Sequence, residues 1–111
     1  MSDANALRKQ LKIKAGSAKR LFKEHKLYQK EEEELKLKLD KYIENNAEDW
    51  DIKNTRRMLE ESGKMIADSA DRLGNVMQDL RELLVSAERN PELSQDEEVL
   101  KAQETLEEVS I

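Results

Sequence analysis

Asn45-Asn46-Ala47-Glu48-Asp49-Trp50-Asp51 decides the fold, because these turn-forming residues interrupt an apolar repeat that runs up to them and resumes beyond them. Before the interruption, Leu7, Leu11, Lys14, Ala18, Leu21, His25, Tyr28, Glu32, Leu35, Leu39 and Tyr42 recur about every 3.5 residues, the period of a helix packed along another helix. After it, Ile52, Thr55, Leu59, Ser62, Ile66, Ser69, Leu73, Val76, Leu80, Leu83 and Ala87 keep the same period as far as Asn90-Pro91. A tight turn between two such helices predicts an antiparallel hairpin, with Asp49 or Asp51 as the N-cap of the second helix. The register that follows pairs Tyr42 with Ile52, Leu39 with Thr55, Leu35 with Leu59, Tyr28 with Ile66, Leu21 with Leu73 and Leu11 with Leu83. It also sets Glu32 opposite Ser62 and His25 opposite Ser69, so polar side chains meet at matching depths.

Beyond Pro91, Ser94-Gln95-Asp96-Glu97 reads as a capping box, and Val99, Ala102, Leu106 and Val109 follow at helical spacing. So short a helix is not stable by itself. Its stripe is expected in the groove of the hairpin, against Ala15, Phe22, Met77 and Leu84. The fold class predicted is all-α, a three-helix bundle built on a long antiparallel coiled-coil-like hairpin with a shorter third helix. The helices span about 4–45, about 51–90 and about 95–109 of a single domain over 1–111.

Composition narrows the function. The 111 residues are 41% charged and 4% aromatic, with no Cys and one His, which leaves little material for a deep catalytic cleft and none for a thiolate or disulfide. No enzyme, no cofactor and no metal are expected. Glu31-Glu32-Glu33-Glu34 points in four directions on a helix and cannot converge on one cation. Gly16, Gly63 and Gly74 stand singly inside helical patterns, where close helix contact is the simplest reason for them. Met58, Met65 and Met77 flank the seam, as adaptable packing or as a soft binding surface. His25 is either a seam residue hydrogen-bonded within a polar layer or a pH-sensitive partner contact. No apolar stretch approaches a signal segment or a membrane span, and a reducing compartment, most simply the cytosol, is the default.

Charge is unevenly spread. Residues 1–30 carry nine Lys/Arg against two Asp/Glu, whereas residues 92–111 carry one against seven, within a net charge of −5. No aromatic residue is interleaved among Lys12, Lys14, Lys19 and Arg20, which argues against nucleic acid. Leu11 to Tyr28 is a basic amphipathic helix of the kind that lies on membranes, but its apolar face is needed for the hairpin. An acidic protein partner held through the polar face requires no such sacrifice. The partner-binding candidates are therefore Lys12, Lys19, Arg20 and Lys23, with Asp51 and Lys53 beside the turn.

Leu11-Lys12-Ile13-Lys14, Lys19-Arg20-Leu21-Phe22-Lys23-Glu24 and Tyr28, followed by Trp50-Asp51-Ile52-Lys53, Leu59-Glu60-Glu61-Ser62 and Met65-Ile66, resemble the tubulin-specific chaperone A (tubulin-folding cofactor A) family in order and spacing. The resemblance is clearest from about Leu11 to Leu73. It implies a cytoplasmic, cytoskeleton-associated cofactor that captures β-tubulin after chaperonin release, acts beside other tubulin-folding cofactors and uses no nucleotide or metal. Trp50 stands where the family often has Tyr. Ala67 stands where it commonly has Pro, which would bend the helix. The competing class is a structural or adaptor coiled coil that pairs with another helix, or with a second copy as a homodimer.

Overall fold

The computed structural model describes residues 3–109, which form three helices: α1 (Asp3–Glu44), α2 (Asp49–Glu88) and α3 (Glu97–Glu108). Two compact units divide them, one of residues 1–22 with 71–111 and one of residues 23–70. α2 continues without interruption past Ala67.

The first unit holds all the buried apolar residues of the described chain. Leu11, Ala15, Leu80, Leu84, Ala87, Val99 and Ala102 share one cluster, with Leu83 packed against it. Ala18, Leu21, Leu73, Met77 and Val109 form another, with Phe22 against it. Both clusters take residues from all three helical segments, so α3 buries the stripe that its spacing marked, against the four groove residues named from sequence. Leu11 and Leu80 are wholly buried, and truncating either to Ala would cost about 2–5 kcal/mol. Two further buried residues carried no periodic signal. Ala4 lies ahead of the first seam position, and Leu93 sits alone in the polar connection between α2 and α3.

The expected capping box at Ser94 is not the start of α3. Asp96 is the N-cap, accepting the Glu98 N–H at 2.9 Å, and the Ser94 N–H bonds the Asn90 carbonyl at 3.1 Å. The carboxylate prevails because it serves two donors: Arg8 Nε of α1 donates to its other oxygen at 2.9 Å. A serine hydroxyl two residues earlier offers no such link. The Glu98 bond chiefly, and Arg8 after it, hold the Asp96 carboxyl below its ordinary 3.8 against the opposing effect of desolvation.

In the second unit the turn is closed by backbone bonds. Asn46 adopts a left-handed φ of 53°, Asn46 N–H donates to the Ile43 carbonyl at 3.3 Å and Ala47 N–H to the Tyr42 carbonyl at 2.9 Å. This paired closure satisfies the last carbonyls of α1, and Asn is the non-glycine residue that best tolerates the conformation. Neither Asp49 nor Asp51 caps α2. The Glu48 carbonyl accepts from the Asp51 and Ile52 N–H groups, and both aspartates lie in the first turn, where their charge favours the helix dipole.

Gly16 and Gly74 do not mark close helix contact, since a Cβ on either would meet nothing within 4 Å. At Gly63 the nearest atom is a Glu32 carboxylate oxygen at 3.9 Å. None of the three has a positive φ. Gly16→Ala is therefore expected to raise stability by about 0.5–1 kcal/mol in urea denaturation, through helix propensity and a less free unfolded chain. Because the folded Asp96 carboxyl is the stronger acid, its contribution is complete above pH 3.8 and lost as pH falls through its lowered value. Asp96→Asn should lower the melting temperature at neutral pH and flatten that acid limb of stability.

Candidate partner-binding surface

The second unit is built from polar buried residues. Within 23–70 the buried side chains are His25, Thr55, Ser62 and Ser69, and no apolar residue there reaches the same depth. Thr55, Ser62 and Ser69 repeat at seven-residue intervals, so α2 presents a row of short hydroxyl side chains to α1. Short side chains fill little volume, and Leu35, Leu59 and Ile66 beside them remain half-buried.

Each hydroxyl of the row is handled differently. Thr55 Oγ1 donates to the Asp51 carbonyl at 2.8 Å, and Ser69 Oγ to the Ile66 carbonyl at 2.9 Å. Ser62 Oγ has no partner. His25 Nδ1 lies 2.7 Å from Ser69 Oγ. Because that hydroxyl's proton is directed to Ile66, the arrangement calls for an Nδ1–H that donates and a serine oxygen that accepts. His25 is thus the hydrogen-bonded seam residue of the polar layer, opposite Ser69 as the register requires.

Exposed apolar residues gather in the same unit. Of the nine large hydrophobic side chains most open to solvent, Leu27, Leu37, Ile43, Trp50, Met58 and Met65 fall within 23–70. Met58 and Met65 are seven residues apart and share a stripe of α2 next to the hydroxyl row. Trp50, 70% exposed in the first turn of α2, leads the group. In the sequence it stands inside the turn-forming run 45–51, with nothing periodic to mark it as exposed. The available signal was position: Trp50 falls two residues before the seam resumes at Ile52, on another face of the helix.

The charged candidates divide between the units. Lys12, Lys19 and Arg20 are exposed in the first, and Lys23 is exposed at the start of the second. On α1, Lys12, Lys19 and Lys23 recur at intervals of seven and four and lie along one stripe, with Arg20 a step around the helix. None of the four has a side-chain ion pair or hydrogen bond among the described residues, unlike Lys14, whose Nζ lies 3.0 Å from Asp79 Oδ2. Asp51 is half-buried and Lys53 exposed, both in α2. No group of three or more His, Asp or Glu among the described residues is arranged to hold a metal, and no helix among them is long and apolar enough to cross a membrane.

The class is an all-α protein of long antiparallel helices with a shorter third one. The family model for tubulin binding cofactor A matches residues 6–106, and the chain belongs to that family. Tubulin-specific chaperone A of Gallus gallus is 38% identical over 103 residues, and that of Homo sapiens 36%, each match covering 93% of both chains. The crystal structure of tubulin folding cofactor A from Arabidopsis thaliana superposes with a TM-score of 0.85 at 32% identity, covering 94% of this chain and 95% of that one.

Ser69→Ala is expected to cost about 1–3 kcal/mol, because it leaves the buried imidazole without its partner. Replacing both members, as His25→Leu with Ser69→Ala, should recover most of that loss in the urea midpoint. Equal losses in the single and double variants would show that the hydrogen bond is not the source.

Proposed function

We propose that the protein is a tubulin-folding cofactor that works by binding, capturing β-tubulin folding intermediates released by the cytosolic chaperonin and passing them to other cofactors on the way to the αβ-tubulin heterodimer. The relatives' name, tubulin-specific chaperone A, supports tubulin as the partner class. The observation that carries the capture step is the makeup of residues 23–70, where the buried side chains are polar and six large apolar ones stand open to solvent. A folding intermediate displays apolar surface, and such residues give it something to cover without dismantling a core. The basic residues Lys12, Lys19, Arg20 and Lys23, uncommitted to internal partners, attract an acidic client and set the rate of encounter. Asp51 and Lys53 extend that surface at the turn. The setting of this work is the cytoplasm, alongside the cytoskeleton.

Co-elution with β-tubulin released from chaperonin, run beside α-tubulin and repeated at high salt, tests the reading. A discrete, β-selective complex that weakens with salt is expected, and absence of any complex would overturn it. The Lys19→Glu/Arg20→Glu/Lys23→Glu variant should capture about tenfold less β-tubulin while helicity and melting stay unchanged. Undiminished capture by that variant would remove the basic strip from the surface.

A further inference from the structure

Trp50, Lys53 and Arg57 stand three, four and seven residues from one another, the spacings that put side chains on one side of a helix. With Asn54 they line a shallow notch of about 250 Å³ on α2. Arg57 Nη2 donates to Asn54 Oδ1 at 2.6 Å, a single bond that leaves donors of the exposed guanidinium uncommitted. Neither Lys53 nor Arg57 has a carboxylate partner among the described residues, although Asp49, Asp51, Glu60 and Glu61 are close in sequence. Trp50 is the chain's single tryptophan, and 70% of it is open to water.

An uncovered tryptophan beside two unpaired cations combines the two side-chain types that dominate binding energy at protein interfaces. The ring offers a large apolar plate, and the cations call for carboxylates. We propose that this side of α2 docks an acidic peptide segment of the client, whose carboxylates pair with Lys53 and Arg57 while a neighbouring apolar side chain covers Trp50. The inference rests on the reading that the protein holds a polypeptide client, and it adds the chemistry of the segment held. Single-stranded nucleic acid fits less well. One aromatic residue provides no row for successive bases.

Trp50 is its own reporter. A short Glu-rich peptide carrying one Phe is titrated into the full chain while tryptophan emission is followed, with a Lys-rich peptide of the same length and an oligothymidylate as the other arms. A saturable blue shift with the acidic peptide, weakened by salt and absent with the Lys-rich peptide, is expected. Followed by anisotropy of the labelled peptide, Lys53→Glu/Arg57→Glu and Trp50→Ala should each bind about tenfold more weakly with unchanged helicity, since all three residues are exposed. No binding of the acidic peptide, equal binding by the variants, or tighter binding of the oligothymidylate overturns the proposal. So does a blue shift that grows with protein concentration alone, which assigns the face to a second copy. β-Tubulin co-elution by the same variants separates the two readings. Capture that persists when the peptide does not bind sinks only the docking proposal, whereas peptide binding without any tubulin complex sinks the choice of client.

Discussion

His25 and Ser69 meet in a buried contact of 2.7 Å, and the facing of α1 and α2 in the unit of residues 23–70 depends on it. An imidazole deprived of water needs a partner, and a slide of one helix past the other by a single residue would remove this one. A slide of seven residues is the tempting error, because it would bring His25 against Ser62, another hydroxyl in the same row. The row alone therefore does not choose between registers. The turn does, since the backbone bonds from Asn46 and Ala47 close α1 at a fixed residue and leave the chain no slack. Buried polar residues that specify register at some cost in stability are well attested where helices pack along a seam.

That cost is visible in the same row. Thr55 and Ser69 return their hydroxyl protons to the carbonyls of their own helix, while Ser62 Oγ finds nothing. Glu32, set opposite it by the register, instead accepts from Lys36 of its own helix at 3.3 Å. In the other unit one buried hydroxyl likewise returns its proton to its own helix, Thr105 donating to the Lys101 carbonyl at 2.9 Å, among the wholly buried Leu11, Leu73, Leu80, Leu93 and Val99. Its charged devices lie at the margin: the Arg8–Asp96 link at the start of α3, and Lys101, whose pKa Glu97 and Glu98 hold above its ordinary value.

Much of this was legible in the sequence. A period near 3.5 residues located both long helices and the seam, and the His25–Ser69 pairing followed from the turn alone. The groove that receives α3 was legible too, because Ala15, Phe22, Met77 and Leu84 sit one step off the seam. Features set by single contacts were not. Which residue caps α3 depends on Arg8, eighty-eight positions away, and no local pattern records that link. Leu93 belongs to no periodic run, so its burial depends on where the connection is laid. Gly16 and Gly74 resemble contact glycines in a string of letters, yet space is open beside both. The exposure of Trp50 was hidden for the opposite reason: a tryptophan beside a turn reads as part of the turn's packing until the helix is known to begin at Asp49.

On the proposed function, the protein has to keep apolar surface uncovered for a client without becoming a client itself. The usual solution, a deep apolar pocket, needs more core than a chain of 111 residues can spare. Here the requirement is met by composition. One unit takes the leucines to full burial and supplies stability, whereas the other closes its seam with a histidine and three hydroxyl residues, leaving its larger apolar side chains outside. Filling the seam with leucine at Thr55, Ser62 and Ser69 would pack more area, but it would also strip the buried His25 of its partner and invite association through the seam. The polar row is thus a condition for keeping a sticky exterior on a defined hairpin. On the same proposal charge completes the arrangement, since the uncommitted Lys12, Lys19, Arg20 and Lys23 are what would draw in a partner of opposite sign.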